Sequence, residues 1–228
     1  MIRCLSKKKI FLPIIVALII SIPVNFIISY LLGWDTSLLD RPDILARNLS
    51  SDWIIVLVLF LIIYFWEKKN LRSIGIKSME KIDFFYGFII LFIQLALLFF
   101  TDFFVNLLGL TSQSAETSRV LLLPIYLQLF IVITAGITEE IIFRGYLIER
   151  LNLLSKNLII SGIISYILFV IFHIPFWGLG GAIQIAFWTI PITIYYIKRR
   201  NLTTCILVHL AYDATIFVPM VLNYFELF

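Results

Sequence analysis

Seven apolar segments follow one another along this chain of 228 residues, and they constrain its fold more than any other feature. They lie at about residues 10–32, 53–66, 83–108, 121–150, 157–174, 181–197 and 202–225. A helix needs about 20 apolar residues to cross the hydrocarbon core of a bilayer. Hydrophobic residues make up 61% of the chain, so a soluble fold of this size would expose an apolar surface. The sequence therefore predicts an all-α protein, a polytopic membrane helical bundle with about seven transmembrane helices.

We expect a single membrane domain over residues 1–228, because no stretch between the apolar segments is long enough to bury a core of its own. Residues 1–120 would supply the N-terminal spans, and residues 121–228 would form the part that carries the chemistry described below. The stretches Gly33–Asp52 and Thr111–Arg119 are predicted as loops, the second polar and mobile, and neither is assigned any chemistry.

The basic residues predict the orientation of the chain. Fifteen of the 18 Lys and Arg residues precede the first segment, follow the second or sixth, or lie near the turn that ends the fourth; the other three are Arg41, Arg47 and Arg119. The positive-inside rule then predicts a multi-pass integral protein of the plasma membrane, with a cytosolic N-terminus and an external C-terminus. Because the basic residues lie in short loops where they set topology, the net charge of +4 does not indicate a nucleic-acid partner. Cys4 and Cys205 are too isolated for a disulfide framework or a CxxC site.

The fourth segment carries the charged residues Glu139, Glu140 and Arg144 directly after a long apolar run, where a spanning helix usually carries none. Each costs about 2.5–3.5 kcal/mol at the centre of a bilayer, so such residues are candidates for a functional site. At α-helical spacing Glu140 and Arg144 share a face and can pair, whereas Glu139 is turned by about 100° toward another neighbour. We interpret Glu140 as held by Arg144 and Glu139 as available for chemistry. The alternative is a solvated helix end, with Glu149, just outside the bilayer.

Both histidines of the chain lie in apolar segments. Glu139 lies seventeen residues before the basic turn at Lys156, and His173 lies seventeen residues after it. In antiparallel helices of equal rise these two side chains lie at a similar depth, which predicts a shared site. A histidine in a membrane helix is otherwise often a hydrogen-bonded packing residue.

The last segment brings a second pair, His209 and Asp213, which are four residues apart and share a helix face. An acid one turn from a histidine can fix its tautomer. His209 lies nine residues beyond Arg200, so it is about two turns shallower than Glu139 unless the hairpin at Lys156 protrudes further.

A group of two carboxylates and two imidazoles in an apolar, partly wetted cavity suits hydrolysis. A carboxylate can take a proton from water, and an imidazole can donate to the oxyanion that forms. The same groups could instead hold a divalent metal such as zinc, with His173, His209 and Asp213 as ligands. The residues alone do not separate these mechanisms, although no HExxH motif is present.

Three motifs in this order resemble one known family, the CAAX-protease and bacteriocin-processing (Abi) family of intramembrane proteases. The motifs are Glu139-Glu140-x-x-x-Arg144, Phe169-x-x-x-His173 and His209-x-x-x-Asp213. The family-like part covers residues 121–228. Relatives process prenylated CAAX proteins in eukaryotes, and peptide, bacteriocin or pheromone precursors in bacteria.

The resemblance implies a membrane endopeptidase and assigns a role to each motif residue. Glu139 would activate water, supported by Glu140 and Arg144. His173 and His209 would bind or polarise the substrate, and position 213 would help to stabilise the oxyanion. Metal-dependent and metal-free mechanisms are both held for the family. This chain differs in one respect, because eukaryotic members carry Asn where Asp213 stands, and an ionised Asp accepts hydrogen bonds but cannot donate them.

Two other functions compete with a peptidase. One is a non-catalytic membrane immunity or regulatory partner protein on the same scaffold, against which the intact motifs argue. The other is a transporter or proton channel that uses Glu139, Glu140 and His173 as a relay. The sequence contains no repeated half of the kind that many transporters have.

Overall fold

The computed structural model describes residues 42–217, and every regular element in that range is a helix. The elements are α1 (Pro42–Leu61) with a π-helical turn (Ile62–Trp66), a 3₁₀ turn (Leu71–Ile74), α2 (Lys81–Leu107), α3 (Gln113–Val120), α4 (Ile125–Thr134), a π-helix (Ala135–Leu147), α5 (Ile148–Ser155), α6 (Leu158–Arg199), α7 (Leu202–Asp213) and a second 3₁₀ turn (Ala214–Phe217). The predicted all-α fold class is confirmed for this range.

Four helical stretches of the described range are long and apolar enough to cross a membrane. They are Leu45–Trp66, Lys81–Leu107, Ile125–Ser155 and Leu158–Arg199, and the apolar helix Leu202–Asp213 is shorter. An integral membrane protein is therefore supported, but the predicted count of seven spans is not confirmed. The predicted first span, 10–32, and the end of the last one lie outside the described residues.

The 42 residues of α6 form two antiparallel helices rather than one straight rod. Gly178 interrupts them with φ 65° and ψ −176°, a conformation that glycine adopts readily and other residues rarely do. Beyond this turn the chain folds back, so that Gly162 lies against the side chain of Ile197. In a straight helix these two residues would be about 50 Å apart. The predicted segments 157–174 and 181–197 correspond to the two halves.

Two of the predicted loops are partly helical, so these predictions were wrong. The predicted loop Gly33–Asp52 ends inside α1, which begins at Pro42, and the predicted loop Thr111–Arg119 contains most of α3. A tertiary contact anchors α3, because the backbone N–H of Gln113 donates to the side-chain oxygen of Gln184. Contacts between distant residues are not visible in a local polarity pattern.

Ion pairs tie the basic turns together at one end of the bundle. They join Arg150 to Glu67 with an Nη2–Oε2 distance of 2.5 Å, Arg200 to Glu149, and Arg199 to Asp83 at 3.0 Å. The first pair joins α5 to the segment between α1 and α2, the second joins α5 to the turn after α6, and the third joins the end of α6 to the start of α2. The side chains of Arg144 and Arg150, both counted for the orientation, are only 2% and 1% exposed. The predicted orientation therefore rests on the other basic residues and stays a prediction.

The segment that carries the acidic motif is a π-helix, not the α-helix that the spacing predicted. π-helices usually occur as single turns and often at functional sites, whereas this one covers 13 residues. Two glycines let α7 pack closely along it. A Cβ on Gly136 would lie 2.6 Å from Leu210 Cδ2, and one on Gly145 would lie 2.7 Å from Leu202 Cδ2. This close approach brings the last helix within hydrogen-bonding distance of the acidic motif.

Candidate active site

A cavity of about 780 Å³ lies in the half of the bundle away from the basic turns. Its wall comes from the start of α1, from α3, from the residues just before Gly178 and from the end of α7. The lining side chains with acid–base chemistry are Asp52, Glu139, His173, His209 and Asp213. No Lys or Arg is among the described residues that line it.

Glu139 and His173 face each other across this cavity, as the depth argument predicted. The distance from His173 Nε2 to Glu139 Oε2 is 3.5 Å, and their side chains are 14% and 25% exposed. His173 Nδ1 lies 2.6 Å from the carbonyl oxygen of Phe169. Because a carbonyl only accepts, Nδ1 must carry a proton, and Nε2 is the atom turned toward the carboxylate. Both groups therefore reach the space where a substrate would lie.

Glu140 lies behind the wall and is held from two sides. Its Oε1 is 2.9 Å from Arg144 Nη1 and 2.9 Å from His209 Nδ1. Glu140 is fully buried, and Arg144 is 2% exposed. The alternative of a solvated helix end is therefore wrong for these two residues, and the predicted pairing of Glu140 with Arg144 is confirmed.

Arg144 also links the π-helix to both halves of α6. It donates a hydrogen bond to the Thr189 hydroxyl, and its Cζ lies 4.0 Å from the centroid of the Phe169 ring. A guanidinium over an aromatic face is stabilised further when it is shielded from water. The buried charge of Glu140 is thus compensated by a cation that is itself fixed on three sides.

His209 lies at the level of the acidic motif, so the expected mismatch of two turns is absent. Its Nε2 is 3.5 Å from Asp213 Oδ2, while Nδ1 is bonded to Glu140. Glu140, rather than Asp213, therefore holds Nδ1 and sets the tautomer of the ring. Asp213 is 19% exposed and faces the cavity with the Nε2 side of the imidazole.

Residues 121–215, which contain the acidic motif and both histidines, match the family model described as type II CAAX prenyl endopeptidase Rce1-like. Residues 121–215 are therefore similar to an Rce1-like domain. All six predicted site residues lie within this range, and the match confirms the resemblance inferred from the motifs. Searches of curated proteins and of solved structures gave no match.

The cavity has an aromatic wall that the motifs did not indicate. Trp188 stacks on Tyr212 with ring centroids 4.7 Å apart and lies 5.2 Å from the ring of His209. Both aromatic residues line the cavity. Residues of this kind cannot be distinguished in sequence from the many aromatic residues that pack in a membrane core.

Asp52 is a further lining residue that the sequence analysis missed, and it lies outside the matched residues 121–215. The apolar pattern predicts Asp52 as the last residue of a loop. Leu45, Asn48, Leu49 and Asp52 all line the cavity, and their spacing of three, four and seven residues is that of one helix face. This spacing could have indicated from the sequence that Asp52 belongs to a helix and shares a face with the three other residues.

The described side chains do not form a three-ligand metal site. Among the described residues no group of three or more His, Cys, Asp or Glu side chains is arranged to hold a metal ion. The proposed ligands lie in two pairs, His173 with Glu139 and His209 with Asp213, and no third ligand completes either pair. A zinc site takes three or four protein ligands around one ion. We therefore derive no chemical step through a metal.

Proposed function

We propose that this protein is an intramembrane endopeptidase in which Glu139 activates water to hydrolyse a peptide bond of a membrane-associated protein or peptide precursor. The observation that carries the proposal is the division between the two adjacent acids of the acidic motif. Glu139 reaches the cavity, whereas Glu140 is buried, forms an ion pair with Arg144 and accepts a hydrogen bond from His209.

In the proposed first step, Glu139 takes a proton from a water molecule as the oxygen attacks the peptide carbonyl carbon. A carboxylate within hydrogen-bond reach of water acts as a general base, worth about 10²–10⁴-fold in rate. His173 Nε2, 3.5 Å from Glu139 Oε2, lies where it can help to orient that water or the carboxylate. The proton then passes to the amide nitrogen as the C–N bond breaks.

The oxyanion of the tetrahedral intermediate needs a hydrogen-bond donor on the same wall. We assign this role to His209 Nε2 in its protonated form, since Nδ1 is held by Glu140. Asp213, at 3.5 Å from Nε2, would stabilise the imidazolium that makes Nε2 a donor. Asp213 thereby assists through His209, which resolves the difficulty that an ionised Asp cannot donate.

The test is the Glu139→Gln variant, purified and assayed on a peptide library by mass spectrometry. It keeps the side-chain volume and removes the base, so cleavage should fall at least about 100-fold with unchanged thermal stability. Glu80→Gln is the matched control, because that carboxylate is 72% exposed and remote from the cavity. A Glu139→Gln variant that keeps more than about a tenth of the wild-type rate would refute the assignment.

A chelator arm separates the two mechanisms proposed for the family. We expect the wild-type rate to be unchanged after dialysis against a chelator, because the donor set does not fit a metal. Loss of activity that returns with added zinc would show that a metal takes part.

A further inference from the structure

We propose that Asp52 is a specificity-determining residue that binds a cationic side chain, Lys or Arg, of the substrate peptide close to the scissile bond. This inference rests on the proposed peptidase function and adds a substrate class to it. It concerns a residue of α1, outside the matched residues 121–215.

The position of Asp52 is that of a substrate contact. It lies on the α1 face that lines the cavity, together with Asn48 one turn earlier. Asp52 is partly exposed and lines the same cavity as Glu139, so both carboxylates act on the same space. A peptide whose carbonyl carbon is attacked beside Glu139 would place a neighbouring side chain within reach of α1.

Among the described residues, no cation compensates the charge of Asp52 in the cavity. Two other lining carboxylates each face an imidazole, Glu139 facing His173 and Asp213 facing His209. Within residues 42–217, no Lys, Arg or His forms an ion pair with Asp52. No described Lys or Arg lines the cavity either. A carboxylate in an apolar cavity is costly unless a cation pairs with it, so a basic substrate residue would supply the missing partner.

The same charges disfavour a substrate that presents a free C-terminal carboxylate at this position. Such a group would meet Asp52, Glu139 and Asp213 with no lysine or arginine to balance it among the described lining residues. Like charges oppose binding in a shielded site. The cavity therefore favours an internal basic site in a precursor over a terminal carboxylate.

Synthetic peptides that differ at one position test this. Library profiling locates the scissile bond, and matched peptides then carry Lys, norleucine or Glu beside it. We expect the Lys peptide to have a KM about 10- to 100-fold lower than the norleucine peptide, as one charged hydrogen bond would give. Asp52→Asn should abolish this difference with little change in kcat, and Asp52→Lys should favour the Glu peptide.

Asp43→Asn is the matched control, because Asp43 is an exposed acid on the same helix that does not line the cavity. Binding is measured separately with the Glu139→Gln variant, by fluorescence anisotropy of labelled Lys and norleucine peptides. Equal affinity for the two peptides, or an Asp52→Asn variant that keeps the preference for Lys, would overturn the inference and leave the role of Glu139 intact. Failure of Glu139→Gln to reduce cleavage would instead refute the peptidase mechanism, while the binding preference would still report on Asp52.

Discussion

Breaking the pair of Glu140 and Arg144 should destabilise this protein strongly, since the pair is shielded from water. Glu140 is fully buried and Arg144 is 2% exposed, with 2.9 Å between Oε1 and Nη1. Removing one partner of such a pair leaves an uncompensated charge, which costs about 3–5 kcal/mol. For a chain of this length about 1 kcal/mol corresponds to about 2–4 °C in Tm. Arg144→Ala and Glu140→Gln should therefore each lower Tm by about 6–20 °C.

The assay is thermal unfolding of the purified protein in one detergent, followed by intrinsic tryptophan fluorescence. Glu80→Gln serves as the control for an exposed ion pair, since its partner Arg199 is 33% exposed, and it should cost less than about 1 kcal/mol. The double variant Glu140→Gln/Arg144→Gln removes both charges. It should recover part of the lost Tm, because the cost of each single change comes mainly from the charge left behind.

A different pattern would refute this reasoning. If Arg144→Ala loses activity but melts at the wild-type temperature, the guanidinium acts on the substrate and is not a buried counter-ion. If the double variant is less stable than either single variant, hydrogen bonds to Thr189 and His209 contribute more than the charge pair does.

Two further variants probe the site and its packing. Asp213→Asn should lower the rate and shift the pH optimum downward, because the neutral amide no longer stabilises the His209 imidazolium that donates from Nε2; a pH–rate profile with chelator or added zinc checks this, and rescue by zinc would contradict it. Gly145→Ala should cost about 1–3 kcal/mol, because the new Cβ would lie 2.7 Å from Leu202 Cδ2 and 3.1 Å from the Ile74 carbonyl oxygen. Gly87→Ala, whose nearest contact would be Val208 at 3.3 Å, should cost less, and equal melting temperatures for the two would contradict the packing argument.

The sequence could predict the parts of this molecule that follow from helical spacing. The apolar segments, the turn at Lys156 and the equal depth of Glu139 and His173 all depend on a rise of 1.5 Å per residue. Pairing of Glu140 with Arg144 was predicted in the same way, and it is present although the segment is π-helical.

The features that were missed depend on contacts between distant parts of the chain. The hydrogen bond from His209 to Glu140 joins residues 69 positions apart. Its formation requires α7 to pack closely on the π-helix, which the small volume of Gly136 and Gly145 permits. Asp52 was missed for a simpler reason, since α1 was predicted to begin eleven residues too late, at residue 53 instead of Pro42.

The ion pairs at the basic end bear on how a substrate would reach the cavity. At that end, pairs such as Arg150 with Glu67 join separate parts of the described chain. The cavity belongs to the other half, where its wall consists mainly of apolar side chains. For the peptidase proposed above, water, peptide and both cleavage products would use the half of the bundle that holds the cavity. If the basic end lies in the cytosol, as the positive-inside rule predicts, that half faces the external side, and an inhibitor that does not cross the membrane would act only from there.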